Sequence, residues 1–109
     1  MKPNLTHYLI SLSTFNDRII HAYLVTNDKR TVTWASDTMI KAAEKEGLRL
    51  LPIVLCTTLE ASGVAIVQDH LRRYGDRPEI ADLLDSIDDF HVSMFWASER
   101  DSADLMDLH

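Results

Sequence analysis

The stretch that decides the fold is residues 7–26, HYLISLSTFNDRIIHAYLVT. Two runs of alternating apolar residues, 7–14 and 19–26, lie on either side of Asn16 and Asp17, and both of these residue types are common in turns. Such alternation is typical of half-buried strands, in which neighbouring side chains point to opposite faces of a sheet. The sequence therefore predicts that the protein begins with a β-hairpin.

The residues after the hairpin predict a third strand and a first helix. A short alternating run over 31–35 is typical of a strand. Ser36 or Asp37 is a suitable N-cap for a helix, and Gly47 is a suitable residue to end it. The first third of the chain is therefore predicted to be an antiparallel meander of three strands.

The middle of the chain predicts a covered strand and a second helix. Residues 48–58 are almost continuously apolar, as in a strand covered on both faces, although Pro52 favours a bulge or an edge position. Thr57 and Glu60 have the spacing of a capping box, and apolar residues then recur at helical intervals until Gly75. These recurring residues are Val64, Val67, Leu71 and Tyr74. The strand is predicted to be the second leg of a strand, helix, strand crossover.

A third helix and a last strand are predicted near the end of the chain. Pro78 suits the first position of a helix, and residues 90–97 alternate again. The helix carries an apolar stripe formed by Ile80, Leu83, Leu84 and Ile87. The sequence thus predicts one α+β domain over residues 1–98, in the order βββαβααβ, with a mixed sheet of about five strands and three helices mainly on one face. Residues 99–109 are predicted to be an acidic C-terminal tail with a final turn at 102–108.

Acidic residues are concentrated at the end of the chain. Between Asp76 and His109, ten acidic residues against two basic ones give a net charge of −8. Residues 1–75 hold seven acidic residues against nine basic ones, which gives +2. A field of one sign steers a protein towards basic partners and repels nucleic acid.

The polar side of the predicted third helix is the predicted partner-binding surface. Its residues are Asp76, Glu79, Asp82, Asp85 and Asp89. Asp85, Asp88 and Asp89 lie near the predicted helix C-terminus, where carboxylates oppose the helix dipole, so local stability does not account for these three. The sequence favours a non-catalytic acidic binding protein that docks on a basic protein and inhibits or shields it. An immunity protein or an inhibitor of a nucleic-acid-acting enzyme would fit, with no cofactor. The plain alternative is a solvated face that keeps the protein soluble.

Cys56 and three histidines favour a different interpretation, a small enzyme or a ligand-binding module. Cys56 lies where a strand is predicted to lead into a helix, a position that can lower a thiol pKa. The apolar run before it favours a plain core role instead. His7, His21 and His91 fall on the same side of their strands and could form a metal- or ligand-binding face.

Two further interpretations have weaker support. A carboxylate and imidazole metal site could draw on Asp69, His70, Asp88, Asp89 and His91, although this spacing is unspecific. Nucleic-acid binding would need exposed aromatic residues, such as Tyr23 and Phe95, beside the basic pairs at 29–30 and 72–73. The acidic balance argues against it, because phosphate contacts supply most of such affinity. The three glycines are too far apart for a phosphate-binding loop.

The cellular compartment is predicted from the single cysteine and from hydropathy. One cysteine permits no intrachain disulfide, which fits a reducing, cytoplasmic location. The N-terminus shows no signal-peptide pattern. The longest strongly apolar run, 48–56, is about half of the ~20 residues that a membrane helix needs, so no membrane span is expected.

Overall fold

The computed structural model describes residues 5–74 and 90–109, and within them one antiparallel sheet of four strands carries three helices. The strand order in the sheet is β3-β1-β2-β4. Along the chain the elements are β1 (Thr6–Thr14), β2 (Arg18–Thr26), α1 (Lys29–Lys45), β3 (Leu50–Thr58), α2 (Ala61–Tyr74), β4 (Phe90–Ser98) and α3 (Ala103–Met106). The predicted α+β class is confirmed. The mixed sheet of about five strands is wrong, because the described strands number four and every neighbouring pair is antiparallel.

The first two strands form the predicted hairpin. Asp17 adopts a left-handed φ of 55° in the turn, a conformation that aspartate tolerates because its short polar side chain can bond locally. The Thr14 hydroxyl donates to the carbonyl of Arg18 at 2.8 Å and accepts from the backbone N–H of Asn16 at 3.2 Å. These two bonds close the turn where the sequence predicts one.

The third strand predicted at 31–35 is wrong, because these residues lie in helix α1. The Asp28 side chain caps the helix by accepting a hydrogen bond from the backbone N–H of Arg30 at 2.9 Å. The helix therefore begins well before the N-cap predicted at Ser36 or Asp37. Its buried residues, spaced four apart, are Ala35, Met39 and Ala43.

The end of α1 is as predicted. Gly47 has a φ of 73°, and its N–H donates to the carbonyl of Glu44 at 2.9 Å. The N–H of Leu48 donates to the carbonyl of Ala43 at 3.1 Å. This pair of bonds is a Schellman motif, in which a glycine takes the left-handed conformation that terminates the helix.

The helices cover both faces of the sheet, so the prediction of helices mainly on one face is wrong. On the α1 face, the buried cluster consists of Ile10, Leu12, Ile20, Ala22, Leu24, Ala35 and Met39. On the α2 face, it consists of Leu9, Tyr23, Val25, Leu59, Val67, Leu71, Phe95 and Leu105. Because β1 and β2 carry apolar side chains at both odd and even positions, both of their faces require cover.

Strand β3 is an edge strand among the described residues, not the strand covered on both faces that its apolar run predicts. Ile53 is 62% exposed and Val54 is also exposed. The register between β1 and β3 shifts between Leu12 and Thr14, opposite the part of β3 that contains Pro52. The bulge or edge position predicted from this proline is confirmed. Since β2 and β3 are both antiparallel to β1, they run parallel to each other, and α1 makes the predicted crossover.

Helix α2 begins at Ala61, so the capping box predicted at Thr57 and Glu60 is wrong; Thr57 belongs to β3. The apolar stripe of the helix is confirmed for three residues. Val67 and Leu71 are buried, and Val64 packs partly buried against the same cluster.

Residues 99–109, which we call the C-terminal segment, lie against the α2 face. The turn predicted at 102–108 contains helix α3, and Leu105 of this helix is fully buried in the α2-face cluster. The predicted third helix and its acidic side fall outside the described residues. Of the helices in the described part of the chain, none is long and apolar enough to cross a membrane.

Candidate functional site

The α2 face of the sheet collects polar side chains beneath its helices. Ser11 of β1 pairs directly with His21 of β2, so the two side chains share a face. His7 and Tyr23 lie on the same face, at one end of the same two strands. The C-terminal segment adds Ser102 and His109. We call this polar part of the α2 face the histidine face.

Four of these side chains form one hydrogen-bonded row, the serine–histidine chain. Ser11 Oγ lies 2.7 Å from His21 Nδ1 and 2.9 Å from His109 Nε2. On its other side, His21 Nε2 lies 2.9 Å from Ser102 Oγ. A neutral imidazole has one donor and one acceptor nitrogen, and a hydroxyl can take either role. Both ring nitrogens of His21 therefore have a hydroxyl partner.

The serine–histidine chain is buried at its centre. Ser11 is 1% exposed, and His21 and Ser102 are 0% exposed. The ring of Phe95 stacks on that of His21, with their centroids 5.1 Å apart. Buried polar groups are costly unless they are hydrogen-bonded. The serine–histidine chain gives these buried groups hydrogen-bond partners and also connects the C-terminal segment to strands β1 and β2.

Burial lowers the pKa of the imidazoles of the histidine face. It lowers the pKa of His21 to about 3, with smaller contributions from the neighbouring His109 and His70. Burial also lowers the pKa of His109 and of His7. His21 is therefore neutral at physiological pH, and a pKa so far below 7 makes it a weak general base.

A second polar pair lies further along the same face. His7 Nδ1 is 2.5 Å from Tyr23 Oη, and the two rings stack with centroids 5.7 Å apart. Burial raises the pKa of Tyr23, and a hydrogen bond with the Gln68 side chain partly opposes the rise. The phenol therefore stays protonated and can donate to a neutral imidazole.

The structure places two of the three predicted histidines, His7 and His21, on one face. The backbone of the third, His91, pairs with Val25 in the register of β4 and β2. The geometry resembles a serine–histidine dyad, but a substrate could not reach a serine that is 1% exposed. Within residues 5–74 and 90–109, no three His, Cys, Asp or Glu side chains lie close enough together to hold a metal ion.

Cys56 is exposed on the edge strand, so the core role predicted for it is wrong. Cys56 lies opposite Ile10 in the antiparallel register of β3 and β1. Partial burial raises the pKa of its thiol. A raised pKa keeps the thiol protonated, whereas a cysteine nucleophile needs the thiolate.

The aromatic residues considered for base stacking lie in the core. Tyr23 is 1% exposed and Phe95 is 3% exposed, so neither offers a surface for stacking. Asp69, considered as a metal ligand, forms an ion pair with Arg73 at 3.0 Å across one turn of α2. Arg30 forms an exposed ion pair with Asp28 at 3.1 Å.

The acids predicted to bind a partner, Asp76, Glu79, Asp82, Asp85 and Asp89, all lie outside the described residues. The described part of the acidic end is the C-terminal segment, whose carboxylates are exposed. These belong to Glu99, Asp101, Asp104 and Asp107. A cavity of about 420 Å³ lies between this segment and the hairpin turn, and its charged lining residues are Asp17, Arg18, Glu99 and Asp107.

Ser102 and His109 belong to the serine–histidine chain, and the sequence patterns do not single them out. Both lie in a segment predicted to be a tail, and both bond to strand residues more than 80 positions earlier. The signal that could have found them is Leu105 and Leu108, two leucines three residues apart among acidic residues. Such spacing indicates one apolar helix face that packs against the protein.

Comparisons with known protein families, with curated proteins and with solved structures find no match for this chain.

Proposed function

We propose that this protein is a non-catalytic acidic binding protein that docks on a basic protein partner and inhibits or shields it. The observation that carries the proposal is the way the C-terminal segment presents its charge. Four exposed carboxylates stand against the single guanidinium of Arg100, while Ser102 and Leu105 between them are buried. The segment is thus anchored by its apolar and hydroxyl side chains and exposes its acidic ones.

Anchoring matters for binding because an ordered surface loses less conformational entropy when a partner docks. Two side-chain hydrogen bonds, one between Ser102 and His21 and one between His109 and Ser11, hold the segment on the sheet. The buried Leu105 adds apolar contact. The carboxylates of the segment are therefore preorganised for a basic partner.

The proposed surface has two further parts. Asp76, Glu79, Asp82, Asp85 and Asp89 supply five more carboxylates shortly before β4 in the sequence. The cavity beside the C-terminal segment offers the carboxylates of Asp17, Glu99 and Asp107, and we propose that it receives a lysine or arginine side chain of the partner. Charge-assisted bonds between carboxylates and such side chains are among the stronger hydrogen bonds in proteins.

Three observations favour binding over catalysis. The serine–histidine chain is closed to solvent at Ser11 and His21, and the pKa of His21 is far below the range of a general base. The raised pKa of Cys56 opposes its use as a nucleophile. Ser11 and His21 instead bond to the side chains of the acidic segment and hold it on the sheet.

The test compares three forms of the immobilised protein in capture from a lysate of the source cell. One variant neutralises the C-terminal segment, with Glu99→Gln, Asp101→Asn, Asp104→Asn and Asp107→Asn. A control removes three exposed charges from α1 and its C-cap residue, with Asp37→Asn, Glu44→Gln and Glu46→Gln. Captured proteins are identified by mass spectrometry at low and at high salt, and each is then titrated in purified form.

A basic protein should be retained by the parent and by the α1 control and lost from the segment variant. Its affinity for the parent should fall as salt is added, because exposed charges are screened over a Debye length of about 8 Å at physiological ionic strength. Equal affinities for all three forms, with equal salt dependence, would show that the acidic end serves solubility alone.

A further inference from the structure

Strand β3 presents one regular stretch of backbone to solvent. The N–H of Leu59, just after the strand, donates to the carbonyl of His7 at 2.7 Å. In an antiparallel ladder the backbone groups of alternate residues point the same way, so those of Leu55 and Thr57 also point towards β1. The N–H and C=O groups that point away from β1 belong to Val54, Cys56 and Thr58, which we call the outer edge.

The outer edge is open within the described part of the protein. All three of its residues are exposed, and β1 is the only strand among the described residues with which β3 pairs. Natural edge strands are usually protected by charges, by proline or by bulges. Here the nine residues of β3 carry no charge, and Pro52 and the register shift protect only its first half. The half from Val54 to Thr58 lacks these protections.

We propose that two copies of this chain pair through their outer edges, antiparallel, so that two sheets join into one. Cys56 is the central residue of the regular stretch 54–58, so the two-fold axis passes beside it. Cys56 then lies opposite Cys56 of the second copy, and Val54 lies opposite Thr58 of the second copy. β-branched side chains such as Val and Thr pair well across strands, and a two-fold axis makes the same patch serve both copies.

The lack of charge on β3 points to a second copy as the occupant of the outer edge. A basic partner would find no carboxylate on β3 to bind. A second copy presents the same uncharged strand, so no like charges meet across the pair of strands. The whole chain has a net charge of −6, so two copies repel each other over longer distances. Added salt should therefore strengthen this dimer, whereas it should weaken docking on a basic partner. The proposed dimer does not depend on the proposed function, so either proposal can be disproved while the other stands.

Sedimentation equilibrium and amide exchange on the parent protein test the proposal without any substitution. The fraction of dimer should rise with protein concentration and with salt. In parallel, exchange of the N–H groups of Val54, Cys56 and Thr58 should slow as concentration rises. Exchange at Leu55 and Thr57, which already face β1, should change much less.

Two sets of variants locate the interface. Cys56→Lys places two like charges opposite each other at the axis and should shift the equilibrium to monomer, whereas Ile66→Lys, at an exposed apolar position on α2, should not. Directly opposite residues in a hydrogen-bonded pair have Cα atoms about 5.5 Å apart, within disulfide range. Mild oxidation should therefore cross-link the parent faster than the double variant Cys56→Ser, Ile66→Cys.

The results that would overturn the proposal are equally specific. One is a protein that stays monomeric up to millimolar concentration, with exchange at the outer edge independent of concentration. Another is a dimer in which the outer-edge amides stay unprotected, since the interface would then lie elsewhere. Should Cys56→Lys fail to fold, Thr58→Pro removes one outward N–H without touching the ladder to β1, and the same loss of dimer is expected.

Discussion

His21 has a hydroxyl partner on each ring nitrogen, one from β1 and one from the C-terminal segment. The period of two in the hairpin sequence predicts that His7 and His21 share a face, and the structure confirms it. The same pattern could not predict Ser102 or His109 as partners. They approach from the other end of the chain, and a pattern of neighbouring residues carries no information about contacts at such separation.

Removal of the Ser102 hydroxyl tests how much the buried hydrogen bond between Ser102 and His21 contributes to stability. Ser102→Ala leaves His21 Nε2 buried without its present partner, which should cost about 1–3 kcal/mol of unfolding free energy. Urea denaturation monitored by circular dichroism measures the loss. The matched control is Ser62→Ala on the exposed side of α2, which should change stability by no more than about 0.5 kcal/mol. Equal midpoints for the two variants would show that the bond contributes nothing.

The lowered pKa of His21 predicts a loss of stability in mild acid. The pKa is about 3 in the folded protein and 6.5 as the ordinary value, so between these pH values the unfolded chain binds the extra proton. Stability is therefore fully present above pH 6.5 and falls as pH drops towards 3, by about 1.4 kcal/mol per pH unit. His7 and His109 act in the same direction.

Denaturation at pH 7.5 and at pH 5 measures this effect. His21→Gln keeps a donor and an acceptor but does not titrate, so it should lose about 2 kcal/mol less than the parent between the two pH values. An identical pH dependence in the parent and in His21→Gln would show that His21 is not the group that responds to acid.

Among the secondary-structure elements, the sequence predicts the hairpin and the end of α1 well and the start of α1 poorly. The hairpin and Gly47 depend on neighbouring residues, and local chemistry decides them. The run at 31–35 is too short for alternation to exclude a helix: in α1, Val32 and Ala35 share the inner side and Trp34 is 52% exposed, and the cap at Asp28 fixes the helix start. The apolar residues of β3 predict a covered strand, but its edge position follows from the strand order, which is a property of the whole sheet.

The start of α1 is tested by two aspartates. Asp28→Ala removes the side-chain oxygen that accepts from the Arg30 N–H and should lower the thermal unfolding midpoint, because the helix loses its N-cap. Asp37→Ala, at the N-cap predicted from sequence, lies within the helix on its exposed side and should be neutral or slightly stabilising, because alanine favours helix interiors. Thermal unfolding of both variants distinguishes a helix capped by Asp28 from one capped by Asp37. A larger loss of stability for Asp37→Ala than for Asp28→Ala would contradict the helix start observed at Lys29.

Across the whole molecule, the largest departures from the sequence prediction have one cause. β1 and β2 are apolar on both faces, so the sheet needs cover on both, and the chain divides its helices accordingly. The C-terminal segment completes the cover on the α2 face, and its acidic composition conceals this role in the sequence. The segment that completes the core with Ser102 and Leu105 also presents the proposed docking charges on its exposed residues.

The anchoring of the C-terminal segment is tested at Leu105. This side chain is 0% exposed in the cluster with Leu9, Tyr23 and Phe95, so Leu105→Ala should cost about 2–5 kcal/mol. Met106→Ala, one residue later and only partly buried, is the matched control and should cost clearly less. Urea midpoints measure both. If the segment were a solvated tail, Leu105→Ala would leave the urea midpoint unchanged. That result would also contradict the preorganised acidic surface on which the proposed docking depends.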